Sequence, residues 1–167
     1  TLRCMRKSTI EKCNMCSITA ILNADAPADE LRATALAISK RQRHRGPDWS
    51  GVFQHECAIL AHERLAIVDV TSGAQPLLDP ETGTALAVNG EIYNHKKLRT
   101  QTASFPYQTG SDCEVILSLY RAHGRDLAHH LEGMFAFVLY DVENDTWLIG
   151  RDPIAVSYTH LRAHETY

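Results

Sequence analysis

Short apolar runs alternate with two stretches of helical period along residues 16–154, and the chain on either side of that range sustains neither pattern. Residues 16–22 (CSITAIL) mix β-branched and apolar side chains and predict a strand, closed by turn residues around Pro27. The segment ADELRATALAISKRQRHR sets Leu31, Ala35, Leu36 and Ile38 at helical spacing, with acids at its start and bases at its end. A helix is predicted there, stopped by Gly46-Pro47. Strands are predicted at Val52-Phe53, over residues 58–61 and 65–70, and over residues 84–88, the last ending in Asn89-Gly90. A short helix is expected over residues 95–99. A longer one is expected over residues 112–123, with Val115, Ile116, Leu119 and Tyr120 on one face and Asp112 and Glu114 in its first turn. Residues 134–140 and 146–149 read as a hairpin across Asn144-Asp145.

Composition narrows the class. A length of 167 residues suits one domain with a core, and 44% hydrophobic with 22% charged residues is ordinary for a soluble folded chain. A net charge of -3, with acids and bases dispersed, provides no field to gather nucleic acid or an anionic membrane surface. No apolar run approaches the roughly 20 residues of a membrane helix, and the start, with Arg3, Arg6 and Lys7, lacks the apolar stretch of a signal peptide. Small-molecule chemistry in the cytoplasm is the expectation, with no nucleic acid and no membrane as partner. The five cysteines, at 4, 13, 16, 57 and 113, are odd in number and sparse, so reduced thiols are expected. Cys13 and Cys16 form one Cys-x-x-Cys pair without a second, which makes a metal or redox module the weakest reading; no metal site is expected.

Cys16 by itself is a thiol at the head of a strand, and a buried free cysteine is commonly a small hydrophobe. Met15 before it changes the chemistry available. If translation starts at that methionine and it is removed, Cys16 carries a free α-amine within reach of its own sulfur. An α-amine titrates near pH 8, so at neutral pH an appreciable fraction can accept the thiol proton, directly or through water. None of the nine histidines then has to serve as base.

Several motifs occur in one order: MCSI from Met15, RHRGPDWSG from Arg43, AHERLAIVD from Ala61, AVNGEIYNH from Ala87, TGSDCEVIL from Thr109, EGMFAF from Glu132 and IGRD from Ile149. Together they closely resemble the glutaminase domain of the glutamine-hydrolysing asparagine synthetases, which are class II, or N-terminal nucleophile, glutamine amidotransferases. The resemblance implies an α+β fold, a four-layer αββα sandwich of the N-terminal nucleophile type, incomplete at its C-terminus. It divides the chain into an N-terminal extension (residues 1–15), an amidotransferase domain (residues 16–154) and a tail unlike the family (residues 155–167).

By the same resemblance, Cys16 is the nucleophile, and the Asn89 side chain with the Gly90 backbone N–H forms the oxyanion hole. The rival reading of Asn89-Gly90 is a type I′ turn. Arg64 corresponds to the residue holding the substrate α-carboxylate, a bidentate task suited to guanidinium; otherwise it makes a surface ion pair. Glu91 and Asp112 correspond to the residues gripping the α-ammonium, although Asp112 also fits a helix N-cap. Leu65, Ile67 and Val68 resemble the edge of the pocket, or are core. Arg45, in the RHRGPD loop, is a further candidate, against a purely structural Gly-Pro turn.

The reaction implied is hydrolysis of glutamine to glutamate and ammonia through a cysteinyl thioester, with glutamine as partner and no cofactor in this half. The resemblance further implies an internal channel leading ammonia to a synthetase domain in the same chain, where ATP and Mg serve conversion of aspartate to asparagine, and it is compatible with a homodimer. No Ser-Gly-Gly-rich phosphate loop follows Asp152, so the chain is expected to be a fragment. With residues 1–15 attached the amine of Cys16 is a peptide nitrogen, and the chain as written is expected to be inactive. Two further readings stand beside this one: another class II amidotransferase, feeding sugar phosphate or phosphoribosyl chemistry, and an inactive amino-acid-binding fragment.

Overall fold

The computed structural model describes residues 16–56, 58–65 and 73–154. β1 (Ser17–Ile21) is followed by α1 (Ala28–Gln42), β2 (Trp49–His55) and β3 (Ala58–Arg64). β4 (Leu77–Leu78) and β5 (Ala85–Ile92) lead to α2 (His95–Gln101) and α3 (Val115–His123), and β6 (Gly133–Asp141) and β7 (Thr146–Arg151) close the described chain. Two antiparallel sheets result, ordered β1-β3-β2 and β4-β5-β6-β7.

The alternation of side chains along each strand stacks these sheets into layers. Ala58 and Leu60 of β3 pack with Ala85 and Ala87 of β5 and Val138 and Tyr140 of β6, and Ile18 and Ala20 of β1 lie against them. That is the interface between the sheets. The opposite face of β3 presents Ile59 to Leu31 and Ala35 of α1. On the other side of the molecule, Leu86, Val88 and Ile92 of β5 and Phe135, Phe137 and Leu139 of β6 pack with Leu98 of α2 and Val115, Ile116 and Leu119 of α3. The order helix, sheet, sheet, helix is the expected αββα sandwich.

Several boundaries differ from expectation for physical reasons. α1 ends at Gln42, before Gly46-Pro47, and its buried stripe is Leu31, Ala35 and Ser39, whereas Leu36 and Ile38 are exposed. A single sheet face needs only every fourth residue. Leu65, expected to open a strand, lies just past the end of β3, and the rest of that predicted strand falls outside the described residues. The predicted helix at Asp112 begins as a 3-10 turn (Asp112–Glu114) capped by Ser111, whose hydroxyl accepts from the Cys113 N–H; Asp112 is not the cap. Asn89-Gly90 is no hairpin turn, because β5 runs straight through it, pairing Asn89 with Ala136 and Gly90 with Phe135. The hairpin between β6 and β7 does form across Asn144-Asp145, with Asp145 in the left-handed region at φ 46°.

Candidate active site

Strand parity gathers most of the expected residues at one end of the space between the sheets. Ile18 and Ala20 point into it, and Cys16, two residues earlier and just ahead of β1, continues that series. The register Ser17 to Glu63 places Cys16 opposite Arg64, which follows Ala58, Leu60 and His62 on the inward face of β3. From the other sheet, Asn89 and Glu91 continue the inward series of Ala85 and Ala87.

The half-buried Cys16 thiol is tied to the residue after Arg64. The Leu65 backbone N–H donates to Sγ at 3.3 Å, and the thiol donates to the Leu65 carbonyl at 3.6 Å. Burial raises its pKa above the ordinary thiol value, while the Leu65 hydrogen bond, the Arg64 charge, the Cys16 backbone N–H and the Arg45 charge work against that rise. The thiol is therefore protonated at neutral pH and needs a base to attack.

Arg64 is buried at the end of β3 and not on the surface. Arg45 reaches the site because the loop after α1 is pressed on the end of β3. A Cβ at Gly46 would lie 2.2 Å from the Glu63 carbonyl oxygen, and the Asp48 N–H donates to the Arg64 carbonyl at 3.0 Å. The Arg45 Nε is buried without a hydrogen-bond partner among the described residues.

The 3-10 turn before α3 adds the rest. Asp112 Oδ2 accepts from the Ile92 N–H at 2.7 Å, so this buried carboxylate is fixed against the end of β5. Cys113 donates to the Gly90 carbonyl at 3.6 Å. Its thiol pKa stands well above the ordinary value through burial first, then the Asp112 charge and hydrogen bond, then the charges of Cys16 and Glu91. Cys113 thus sits within electrostatic reach of Cys16, Glu91 and Asp112 together.

The structure brings Cys16, Arg45, Arg64, Leu65, Asn89, Gly90, Glu91 and Asp112 to one region, while Ile67 and Val68 lie outside the described residues. Sequence reasoning passed over Cys113 as a neighbour of these residues. The one signal for Cys113 was its place directly after Asp112 in TGSDCEVIL. Among the described residues no group of three or more His, Cys, Asp or Glu is arranged to hold a metal ion.

A thiol in the fields of Arg64 and Arg45, with the carboxylates of Glu91 and Asp112 in the same region, suits a zwitterionic substrate with a carbonyl to attack. A family model described as glutamine amidotransferase domain matches residues 15–163. The chain belongs to that family. Asparagine synthetase B [glutamine-hydrolyzing] of Escherichia coli is 54% identical over 143 residues, covering 85% of this chain and 26% of that protein. A probable asparagine synthetase [glutamine-hydrolyzing] of Dictyostelium discoideum is 51% identical over 154 residues, covering 90% of this chain and 28% of that protein. Asparagine synthetase [glutamine-hydrolyzing] 3 of Arabidopsis thaliana is 50% identical, covering 88% and 25%. The amidotransferase chain therefore spans about a quarter of the length of these curated relatives. A solved glutamine phosphoribosylpyrophosphate amidotransferase of B. subtilis aligns with 58% of this chain and 23% of its own, at 26% identity and a TM-score of 0.46.

Proposed function

We propose that this amidotransferase domain hydrolyses glutamine to glutamate and ammonia with Cys16 as nucleophile, and that it works as the glutaminase part of an asparagine synthetase. The observation that carries this reading is the placement of the Cys16 thiol, held by Leu65 in the fields of Arg64 and Arg45, where the inward faces of β1, β3 and β5 converge. The identities to glutamine-hydrolysing asparagine synthetases favour it over other class II amidotransferases.

Arg64 takes the substrate α-carboxylate, and Glu91 with Asp112 takes the α-ammonium, which leaves the side-chain amide carbon in front of Sγ. Leu65 shapes the pocket edge, as do Ile67 and Val68, and Arg45 keeps the field at sulfur positive. The Cys16 α-amine removes the thiol proton as sulfur attacks, the Asn89 amide and the Gly90 N–H receive the developing oxyanion, and the amine returns the proton to the departing ammonia. Water, deprotonated by the same amine, then cleaves the thioester. The amine is a base only when no peptide bond joins residues 15 and 16.

This half needs no cofactor. ATP and Mg belong to a synthetase domain in the same polypeptide, which consumes the ammonia to convert aspartate to asparagine. A cytoplasmic setting fits this reading, and no helix among the described residues is long and apolar enough to cross a membrane.

The test is to start the full-length protein at Met15, establish by mass spectrometry that the methionine is removed, and measure glutamate released from glutamine. Hydrolysis is expected, with a loss of more than about a thousandfold on Cys16→Ala. Full activity in that variant, or in protein still carrying residues ahead of Cys16, overturns the mechanism.

A further inference from the structure

Beyond β4, the second half of β5 has no strand neighbour on its outer side among the described residues, yet four of its backbone groups there are occupied by side chains. β4 covers only Leu86 and Ala85. Along β5 the even-numbered residues turn their N–H and C=O to that side and the odd-numbered residues toward β6. Thr84 accepts from the Asp79 N–H on the β4 side, while the Tyr93 N–H donates to Glu132 on the β6 side. Val88 is the first even residue past β4. Its N–H donates to Gln75 Oε1 at 2.7 Å, and its carbonyl accepts from His62 Nε2 at 3.0 Å. Farther along the same edge come the Gly90 carbonyl, taken by Cys113, and the Ile92 N–H, taken by Asp112. Parity directs the Gly90 N–H to that edge as well.

The side chains on Val88 come from elements that are themselves braced. Gln75 lies against β2, where a Cβ at Gly51 would meet its carbonyl oxygen at 1.8 Å. His62 is fully buried on the inward face of β3, two residues from Arg64 and opposite Ile18 of β1. Because a carbonyl only accepts, His62 carries its proton on Nε2, and Nδ1 has no partner among the described residues. Burial holds its pKa down to about 4, with the Arg64 charge pushing the same way and the Val88 hydrogen bond opposing. A ring that stays neutral and donates to one backbone oxygen acts as a strut between the sheets. The peptide it grips leads directly into Asn89, and the next peptide carries the Gly90 N–H.

We propose that His62 and Gln75 are positioning residues for the oxyanion hole: by fixing both backbone groups of Val88 they set the direction of the Asn89 side chain and of the Gly90 N–H. This rests on the glutaminase reading and deepens it. Loss of either clamp weakens transition-state binding while the head-group contacts of Arg64, Glu91 and Asp112 persist.

The experiment uses the full-length protein with Cys16 as its first residue, and compares His62→Leu, His62→Gln and Gln75→Met. Glutamine kcat and KM are measured, together with inhibition by glutamate and by a glutamine-derived aldehyde, whose hemithioacetal places an oxyanion where the tetrahedral intermediate would. His62→Leu and Gln75→Met are each expected to lower kcat by ten- to about a hundredfold and to weaken the aldehyde by a similar factor. KM and glutamate inhibition should change less than about threefold. His62→Gln, whose amide still donates to Val88, should recover most of kcat. The proposal is overturned if KM and glutamate inhibition worsen in step with kcat, or if His62→Gln is as damaged as His62→Leu. Should His62→Leu fail to fold, Gln75→Met and His62→Gln decide: unchanged kcat in the first, or no kcat above that of Gln75→Met in the second, sinks the idea. An unsubstituted enzyme that releases no glutamate instead refutes the glutaminase reading, and the positioning role falls with it.

Discussion

At Gly90 the backbone of β5 passes so close to β6 that a methyl group would sit 2.0 Å from the Met134 carbonyl oxygen, with φ at 147°. Both the close approach and the dihedral demand glycine. Gly90→Ala is expected to destabilise the fold by at least about 2 kcal/mol, seen as a lower urea midpoint, and to abolish glutamine hydrolysis in whatever protein remains folded. Unaltered stability would mean that β5 can shift away from β6 at little cost. Asp112 makes the complementary point. As an acid at the start of a predicted helix it read as a cap or as a ligand, and the structure gives the capping task to Ser111. Asp112 is left facing the edge of β5, a geometry no local sequence rule describes.

On the scale of single elements, β3 is the part on which the site depends most. Its inward face carries His62 and Arg64; its outward face carries Glu63, buried, with Oε1 accepting from Ser39 of α1 at 2.8 Å and Oε2 from Ser50 of β2 at 2.5 Å. One carboxylate thus ties a helix and a neighbouring strand to the residue that precedes Arg64. Glu63→Ala leaves two hydroxyls without their acceptor and should cost on the order of 2–3 kcal/mol in urea unfolding. Glu63→Gln, which keeps one acceptor oxygen, should cost less. If the Ala variant unfolds at the parent midpoint, the carboxylate contributes nothing to joining these elements. The sequence marks Glu63 only as part of HERL, since Ser39 lies 24 and Ser50 13 positions away.

Taken as a whole, the molecule packs one sheet on the other with His62 fully buried on the inward face of β3, and that makes its stability depend on pH in a particular window. His62 has an ordinary pKa near 6.5 when unfolded and about 4 when folded. Between those values the unfolded chain binds a proton that the native state refuses, so stability falls as pH drops from about 6.5 to about 4 and rises again with pH. The full effect is on the order of 3 kcal/mol. Asp79 and Asp141 act elsewhere. Burial alone would raise both carboxylates, but the Arg121 hydrogen bond at Asp79, and those of Asn144 and Tyr120 at Asp141, hold them below 3.8, so their contribution is lost only at lower pH. Denaturant unfolding at pH 7, 5.5 and 4 should show this slope, and His62→Gln should flatten it; an equal slope in both proteins would assign the effect to other groups.

Much of this architecture was legible in the chain because its causes are local. The short apolar and β-branched runs at residues 16–22 and 134–140, the helical spacing with acids first and bases last at residues 28–45, and the polar Asn144-Asp145 break each specify an element through forces acting within a few residues. The motif residues themselves, from Cys16 to Asp112, were legible as candidates by resemblance. What tertiary structure alone decided was which of two local meanings each would take. Asn89-Gly90 became strand instead of turn because β6 was there to pair with it, and Arg64, at the end of β3, became buried instead of exposed. The links that position the site, from His62 to Val88 and from Asp112 to Ile92, span 26 and 20 residues. Such contacts come into being when sheets stack, and no period along the chain encodes them.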